Sequence, residues 1–394
     1  MIESEQMARG ALRVPGPTGI AIDDVAAFED RHLADLAAEH GTPMLAWSAE
    51  ATRRAWRALR DALPGVQLHY ALKALPHPAM LKLLAAEGAN FDVCTPGEIA
   101  LMRSLGIPAS RCMHTHPIKP VSHIAEAVQW GCRRFIFDNR NELDKFQPFA
   151  DDVELLLRLS FRSPSAVVDL SNKFGANPHY AETLLTEAHA RGLRVVGLAF
   201  HVGSQALSAH EQARAIAFCR DLMARCRPQM PDLRVLDIGG GFPVAYSTEV
   251  PAIDAYCQPI VAELATLPAD IEVLAEPGRY LAAPTMALVT AVIGRADREQ
   301  GRWYYVDDGL YGSFSGRLYD HANYPLKALV DGDAQPCVVA GPTCDGFDVV
   351  WDRAMLPELH DGDLLVARMM GAYTWASATE FNLFPRTTIV NADT

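Results

Sequence analysis

The sequence lacks the features that would place the chain in a membrane or in an oxidising compartment. It has no apolar run of about 18 residues, so no membrane span is predicted. Residues 1–5 show no basic segment leading into an apolar one, so no secretory signal is predicted. The eight cysteines form no CxxC pair, which indicates reduced thiols rather than disulfides or a metal site. Together these absences predict a cytoplasmic protein without a metal.

Positive charge is also scarce, because the formal net charge is −13 over 394 residues. Such a surface disfavours nucleic acids and anionic membranes as partners, and it is compatible with small cationic ligands. There are no heptads, low-complexity tracts or internal repeats. The length allows two domains, and an apolar fraction of 49 % allows each a sizeable core.

From Val66 onward, short apolar runs alternate with helical patterns. Strands are predicted at 66–72, 90–94, 112–116, 134–137, 154–159, 193–200, 235–238 and 272–275. Helices are predicted at roughly 77–87, 97–105, 119–130, 139–148, 177–190, 208–227 and 251–266. This rhythm predicts a (β/α)₈ barrel. The alternative is an open doubly wound sheet, but a GxGxxG fingerprint after the first strand is missing.

The pattern changes after about residue 286. Strands are predicted at 289–293, 301–306, 337–340 and 364–367, with glycine and proline between them and little helix. The predicted domains are therefore a barrel over 45–285 and a mostly β domain over 286–394. Residues 1–44 form an N-terminal segment, with a helix at 23–40, that partly joins the β domain through a strand at 43–47.

Polar side chains stand at the ends of the predicted barrel strands, where the active site of such a barrel lies. They are Lys73, Asp92, His114, His116, Asp138, Arg158, His201 and Glu276, with three glycines from Gly239 after the seventh strand. A lysine ending a buried strand either extends its amine to water or is desolvated. A desolvated amine has the lowered pKa that suits Schiff-base formation.

Two neighbouring motifs add binding groups to that lysine. Three consecutive glycines expose backbone N–H groups to an anion, although they also suit a tight turn. Glu276 and Arg279 add a carboxylate and a guanidinium three residues apart. Pyridoxal phosphate (PLP) needs this combination: a lysine for the imine, donors for the phosphate and a carboxylate that keeps the ring nitrogen protonated.

Over about residues 40–385, the sequence resembles a known family. The chain resembles the fold type III PLP-dependent decarboxylases, whose barrel is alanine racemase-like, in the following motifs. They are Tyr70-Ala71-Leu72-Lys73, Phe91-Asp92-Val93-Cys94, His201-Val202-Gly203-Ser204, Asp237-Ile238-Gly239-Gly240-Gly241-Phe242-Pro243 and Ala275-Glu276-Pro277-Gly278-Arg279-Tyr280. The ornithine decarboxylase branch is indicated by Tyr311-Gly312-Ser313-Phe314, Leu318-Tyr319-Asp320-His321-Ala322, Gly341-Pro342-Thr343-Cys344-Asp345-Gly346 and Met370-Gly371-Ala372-Tyr373-Thr374.

The resemblance implies a role for each site residue. Lys73 carries the cofactor as a Schiff base, Glu276 meets the pyridine nitrogen and His201 stacks on the ring. Cys344 protonates the carbanion left when CO₂ departs. The phosphate is held by Ser204, Gly241, Arg279 and Tyr373, and Gly240 and Gly278 also bind the cofactor. Asp320 and Asp345 bind the distal amine of the substrate, and Tyr319 is a further substrate-binding residue. The supporting groups are Asp92, Arg158 and His116.

The resemblance also implies a homodimer in which Cys344 and Asp345 complete the partner's barrel site. The implied reaction is decarboxylation of L-ornithine to putrescine in polyamine biosynthesis, with L-lysine to cadaverine as a second candidate. One alternative is a decarboxylase that acts on diaminopimelate or on a larger polyamine or siderophore precursor. The other is a catalytically dead regulator that resembles the family. The chain departs from the pattern at Gln205, where glycine is usual, and at Ala74-Leu75-Pro76 after the lysine.

Overall fold

The computed structural model describes residues 26–162, 164–168, 171–299 and 301–393. Its α-helices are α1 Asp30–His40, α2 Ala49–Ala62, α3 Pro78–Ala86, α4 Pro96–Ser104, α5 Val121–Trp130, α6 Arg140–Phe146, α7 Ala181–Ala190, α8 Ala209–Cys226, α9 Ile253–Leu264, α10 Arg279–Ala282 and α11 Gly316–Tyr319. Its strands are β1 Met44–Trp47, β2 Gln67–Ala71, β3 Asn90–Val93, β4 Cys112–His114, β5 Arg134–Phe137, β6 Glu154–Leu159, β7 Ala166–Val168, β8 Val195–Phe200, β9 Ser204–Ala206, β10 Val235–Asp237, β11 Glu272–Ala275, β12 Met286–Arg298, β13 Gly301–Val306, β14 Leu326–Ala328, β15 Gln335–Ala340, β16 Val349–Leu356, β17 Leu364–Ala367 and β18 Thr388–Asn391.

A closed parallel barrel dominates the first part of the described chain. Its strands run in the order β2, β3, β4, β5, β6, β8, β10 and β11, and β11 returns to β2 through Leu274 and Gln67. The predicted barrel is confirmed, and the open sheet is excluded. Strands buried on both faces produce the continuous apolar runs seen in the sequence.

Local signals in the sequence start the helices that follow these strands. The Thr95 hydroxyl accepts from the Glu98 amide at 3.2 Å and caps α4, while Pro96 occupies the first turn. The Asn139 side chain caps α6 in the same way. Each cap fixes the loop between a strand end and its helix, and these loops form the mouth of the barrel.

An ion pair crosses the opposite end of the barrel. Arg134, at the start of β5, donates two hydrogen bonds of 2.8 Å to Glu272, at the start of β11, and a third of 3.1 Å to Glu154. Because β5 and β11 are not neighbours, this fork joins strands that share no backbone hydrogen bonds. Hydrogen bonding from Arg134 holds the pKa of Glu272 below its usual value.

The β domain is a mixed sheet in the order β14, β17, β12, β13, β15 and β16. The strand β1 pairs with β12 on one side and with β18 on the other. The strand predicted at 43–47 therefore lies in this sheet, although its residues 45–47 fall within the range of 45–285 given for the barrel. Beside it, the Asp393 carboxylate accepts from the Ser48 hydroxyl at 2.7 Å and caps the start of α2.

The structure contains several strands that the sequence does not predict. The strands β14, β16 and β18 were not predicted, nor was the β7–β9 pair beside the barrel mouth. The helix predicted at 23–40 begins as α1 at Asp30, after a short 3₁₀ turn at Ala26–Phe28, and residues 23–25 lie outside the described residues. Within the described part of the chain, no helix has the length and apolarity to cross a membrane.

Candidate active site

Lys73 lies just after β2, in a 3₁₀ turn that points its amine into the barrel mouth. The Nζ atom is 2.8 Å from Oδ2 of Asp92, and 44 % of the lysine side chain is accessible. Asp92 is buried and also accepts from the Thr115 hydroxyl. Desolvation is the largest single influence and lowers the pKa of Lys73, but the charges of Asp92, Cys94, Tyr373 and Glu276 together raise it by more, so the net pKa lies well above its usual value. The lowered pKa expected of a desolvated lysine is therefore wrong for the cofactor-free chain, since the amine is paired.

Glu276 follows β11 and faces Asp237, which ends β10. Burial first, and then the charge of Asp237, raises the pKa of Glu276 well above its usual value. Burial also raises the pKa of Asp237 to about 6. Among the described residues, no N–H or hydroxyl group donates to Oε1 of Glu276 or Oδ2 of Asp237, and the two carboxyls hydrogen-bond to each other only when one of them carries a proton. Glu276 thus presents a buried carboxyl oxygen that is free to meet a polar ligand atom.

The loop after β10 packs very closely against the backbone of Glu276. A Cβ atom on Gly240 would lie 2.6 Å from the carbonyl oxygen of Glu276 and 3.1 Å from Nε2 of His201. Gly241 has a φ of 97°, in the left-handed region that favours glycine. The glycines are therefore required by the packing of the loop and not only by its turn.

His201 follows β8 and is oriented by its own loop. Its Nδ1 accepts from the Gly203 amide at 3.0 Å, which leaves Nε2 directed towards Gly240. Burial, and then the charges of Arg158 and Lys73, lower its pKa well below the usual value. The ring is therefore a neutral imidazole at physiological pH.

Arg279, at the start of α10, organises a second polar cluster. It donates to the Ser204 hydroxyl at 3.1 and 3.2 Å and to the Tyr246 hydroxyl at 3.0 Å. Its Cζ lies 4.8 Å from the centroid of the Tyr373 ring, and the Tyr373 hydroxyl lies close to Gly278. Tyr246 was not predicted, because it lies in an irregular loop that carries no periodic signal.

The residues predicted to meet the substrate lie in two places. Asp320 is 2.9 Å from Nη2 of Arg279, whereas the Tyr319 side chain is exposed. Asp345 lies on the loop between β15 and β16, where it accepts from the Tyr311 hydroxyl. Cys344, beside it, is exposed, and its amide donates to Asn382 at 3.0 Å.

The remaining strand-end residues have structural contacts. His116 and Arg158 both pack on the Phe174 ring. His114 is buried against Phe135, and its pKa is lowered to about 3 by burial. Asp138 accepts from the Gly175 amide at 2.8 Å.

The arrangement fits PLP. The unpartnered oxygen of Glu276 suits a protonated ring nitrogen, and Arg279 with Ser204 suits a phosphate. Lys73 supplies an amine at the same mouth, since it follows β2 and Glu276 follows β11, the parallel neighbour of β2. A side chain at Gly240 would close the space between the Glu276 backbone and the His201 ring.

Known proteins with similar sequences and structures support this fit. Residues 49–283 match the pyridoxal-binding domain of the pyridoxal-dependent decarboxylases. The lysine/ornithine decarboxylase of Selenomonas ruminantium is 38 % identical, over 91 % of each chain. The mouse ornithine decarboxylase is 34 % identical, over 93 % of this chain and 80 % of its own. A solved lysine/ornithine decarboxylase from Vibrio vulnificus is 46 % identical, with a TM-score of 0.88 over 93 % of this chain and 99 % of its own. The chain is therefore a PLP-dependent enzyme that belongs to the fold type III decarboxylases, in the ornithine/lysine decarboxylase family.

Proposed function

We propose that this enzyme decarboxylates L-ornithine to putrescine, and L-lysine to cadaverine as a second substrate, as a step of polyamine biosynthesis in the cytoplasm. The observation that carries the proposal is the placing of Lys73, Glu276 and Arg279 around one barrel mouth, with the Asp320 carboxylate against Arg279. Support for the substrates comes from the Vibrio vulnificus enzyme, which was solved with putrescine and with cadaverine. An acidic chain also suits a cationic substrate.

The barrel residues would hold the cofactor in one orientation. Lys73 would bond to it covalently, and the neutral His201 ring would stack on its face. Ser204, Arg279 and Tyr373, together with the backbone at Gly240, Gly241 and Gly278, would bind the phosphate. Asp92 pairs with the Lys73 amine in the cofactor-free chain. Once Lys73 is bonded to the cofactor, Asp92 would instead orient the polar groups around it.

Glu276 would keep a proton at the ring nitrogen. Bound PLP supplies a protonated ring that accepts the electron pair released when the bond between Cα and the carboxylate breaks. A buried carboxylate against a ring N–H⁺ is a paired charge, which makes its burial tolerable. Asp237, whose charge acts on Glu276, would hold that carboxyl in place.

We further propose that a second copy of the chain completes each site. Cys344 and Asp345 lie on an exposed loop, and large apolar side chains are exposed in the same part of the β domain: Phe347 is 60 %, Leu383 91 % and Phe384 43 % accessible. Asn382, which precedes Leu383, accepts a hydrogen bond from the Cys344 amide and so joins these apolar residues to the Cys344 loop. A cluster of this kind suits a protein interface. An isologous dimer would cover the cluster and give two equivalent sites.

In that dimer Cys344 would return a proton to Cα after CO₂ has left. A thiol suits the task because its ordinary pKa is about 8.5. Asp345 of one chain and Asp320 of the other, with Tyr319 beside it, would bind the distal ammonium of the substrate. The two carboxylates carry two negative charges, which would balance the positive charges of the substrate ammonium and of Arg279.

A substrate panel tests the proposed activity. The purified protein, loaded with PLP, is offered ornithine, lysine, arginine and diaminopimelate, and the products are identified. We expect putrescine and then cadaverine, with a preference limited to roughly 10–200-fold, since one methylene is worth about 1–3 kcal/mol in a pocket. Turnover of diaminopimelate alone would contradict the proposal, and PLP binding without any turnover would indicate a regulator.

A further inference from the structure

Gln205 has a backbone conformation that its residue type rarely adopts. It lies in the middle of β9 with a φ of 54°, in the left-handed region that strains side chains other than glycine, asparagine and aspartate. The side chain is nevertheless buried, with 9 % accessibility. A strained and buried amide needs compensating contacts, and its hydrogen bonds supply them.

Both ends of the Gln205 amide bond to one residue. Its Nε2 donates to the Val244 carbonyl at 2.9 Å, and its Oε1 accepts from the Val244 amide at 2.8 Å. The side-chain amide thus pairs with the Val244 backbone in the way that the backbone of a neighbouring β-strand would. Exchanging the amide oxygen and nitrogen would place donor against donor, so the pairing also fixes the orientation of the amide.

Val244 closes the glycine loop that begins at Gly239, and other bonds join this loop to β9. The Ala206 amide donates to the Gly241 carbonyl at 2.9 Å. A Cβ atom on Gly241 would lie 2.4 Å from the Gly203 carbonyl oxygen, which shows how closely the two segments pack. Gln205 supplies two of the bonds that set the separation of the segments.

The two segments form the two sides of the proposed phosphate pocket. Ser204, the neighbour of Gln205, accepts from Arg279 on one side, while the glycine loop offers its backbone on the other. We propose that Gln205 is a positioning residue for the cofactor phosphate, because it fixes the distance between Ser204 and the glycine loop. This inference rests on the proposed function, which assigns the phosphate to this pocket.

Two substitutions separate the positioning role from the fold. Gln205→Gly removes both bonds and suits the left-handed backbone. Gln205→Asn keeps an amide on a residue that tolerates this backbone, but it is one methylene too short to reach Val244. Gln147→Ala is the matched control, since it removes a glutamine bond to the Arg191 carbonyl in an exposed turn.

The measurement compares PLP with pyridoxal, which lacks the phosphate. The dissociation constant of each is obtained by absorbance titration of the cofactor-free protein, and the melting temperature is recorded in parallel. We expect both Gln205 variants to bind PLP at least about tenfold more weakly, with pyridoxal affinity changed less than about twofold. The Gln147→Ala control should leave both constants unchanged.

The outcomes distinguish failure of the positioning role from failure of the proposed function on which it rests. If the wild-type protein prefers PLP to pyridoxal and the Gln205 variants keep the same preference, the positioning role is overturned. Equal weakening of PLP and pyridoxal would also overturn it, since that would indicate a general loss of structure. If the wild-type protein shows no preference for PLP, the assignment of the phosphate pocket is itself wrong.

Discussion

At the scale of single residues, the ion pair between Lys73 and Asp92 controls how the lysine becomes reactive. The charge of Asp92 raises the pKa of the amine, so the amine is cationic at neutral pH in the cofactor-free protein. Only the neutral amine attacks a carbonyl. Cofactor capture must therefore be coupled to loss of a proton from Lys73.

This coupling predicts a pH dependence. The rate of covalent PLP capture should rise between pH 6 and pH 9, because the fraction of neutral Lys73 grows with pH. Asp92→Asn removes the charge that raises the pKa, so its profile should shift to lower pH. Stopped-flow absorbance on cofactor-free protein measures both profiles. Identical profiles would show that Asp92 does not control the amine.

Glu276→Gln tests the partner of the ring nitrogen. A neutral amide cannot keep the ring nitrogen protonated, so we expect the protein to fold and to bind PLP but to lose most of its activity. Steady-state rates at saturating PLP provide the measurement, and Glu263→Gln on α9 is a control for the same change elsewhere. A loss of less than about tenfold (roughly 1.4 kcal/mol of barrier) would exclude this role.

Site residues at the ends of strands can be predicted from the sequence, whereas those whose contacts depend on the packing of loops cannot. Lys73, His201 and Glu276 each follow a barrel strand, so periodicity alone places them at one mouth. The contacts of Tyr246 with Arg279, and of Gln205 with Val244, depend on how irregular segments pack. No spacing rule encodes such packing.

At the scale of elements, the fork of Arg134 on Glu272 fastens β5 to β11 across the barrel. The folded-state pKa of Glu272 is lowered, chiefly by hydrogen bonding from Arg134. A lowered carboxyl pKa contributes stability above the unfolded pKa of about 4.3, and this stability is lost as pH falls through the folded value. The fork should therefore stabilise the barrel at neutral pH and not in acid.

Glu272→Gln measures that contribution. We expect the free energy of unfolding at pH 7 to fall by about 1.5–3 kcal/mol, the range for hydrogen bonds to charged groups. The difference from wild type should shrink as the pH falls below about 4, which urea titrations at several pH values will show. Glu50→Gln removes an exposed pair with Arg54 and should change stability by less than about 1 kcal/mol. A pH-independent difference for Glu272→Gln would contradict the expectation.

Two physical features hide β elements from prediction. β7 has three residues, and its partner β9 lies beyond a barrel strand and a helix, so neither segment shows a strand pattern by itself. The register of β15 with β16 shifts near Val339, and this irregularity breaks the simple alternation of buried and exposed residues. Barrel strands are easier to predict because burial on both faces makes each one a continuous apolar run.

At the scale of the whole molecule, the exposed apolar residues beside Cys344 provide a test of the dimer. Leu383→Asp places a charge at the most exposed of them, so we expect monomers and a parallel loss of activity. Sedimentation over a concentration series measures the assembly. Met355→Asp is the control, since Met355 is exposed at the far end of the β15–β16 hairpin. A dimer that survives Leu383→Asp with full activity would place the interface elsewhere.

Mixing inactive subunits tests whether two chains share a site. Lys73→Ala and Cys344→Ala should each be inactive, but a hybrid dimer holds one site with both defects and one with neither. Under random exchange at equal amounts about half of the dimers are hybrids, so activity should recover to about a quarter of wild type. Differently tagged chains verify that exchange occurs. Hybrids without activity would show that both residues act within one chain.

The pairing of β1 with β18 has a consequence for how the chain is made. Ala49 and Asp393, which bond beside these strands, are 344 positions apart. At translation rates of about 5–20 residues per second, β1 emerges from the ribosome roughly 20–70 s before its partner exists. All four residues of β1 are buried in the finished protein. During synthesis, this apolar strand must therefore wait with an unpaired edge, which makes the nascent chain a natural client for chaperones.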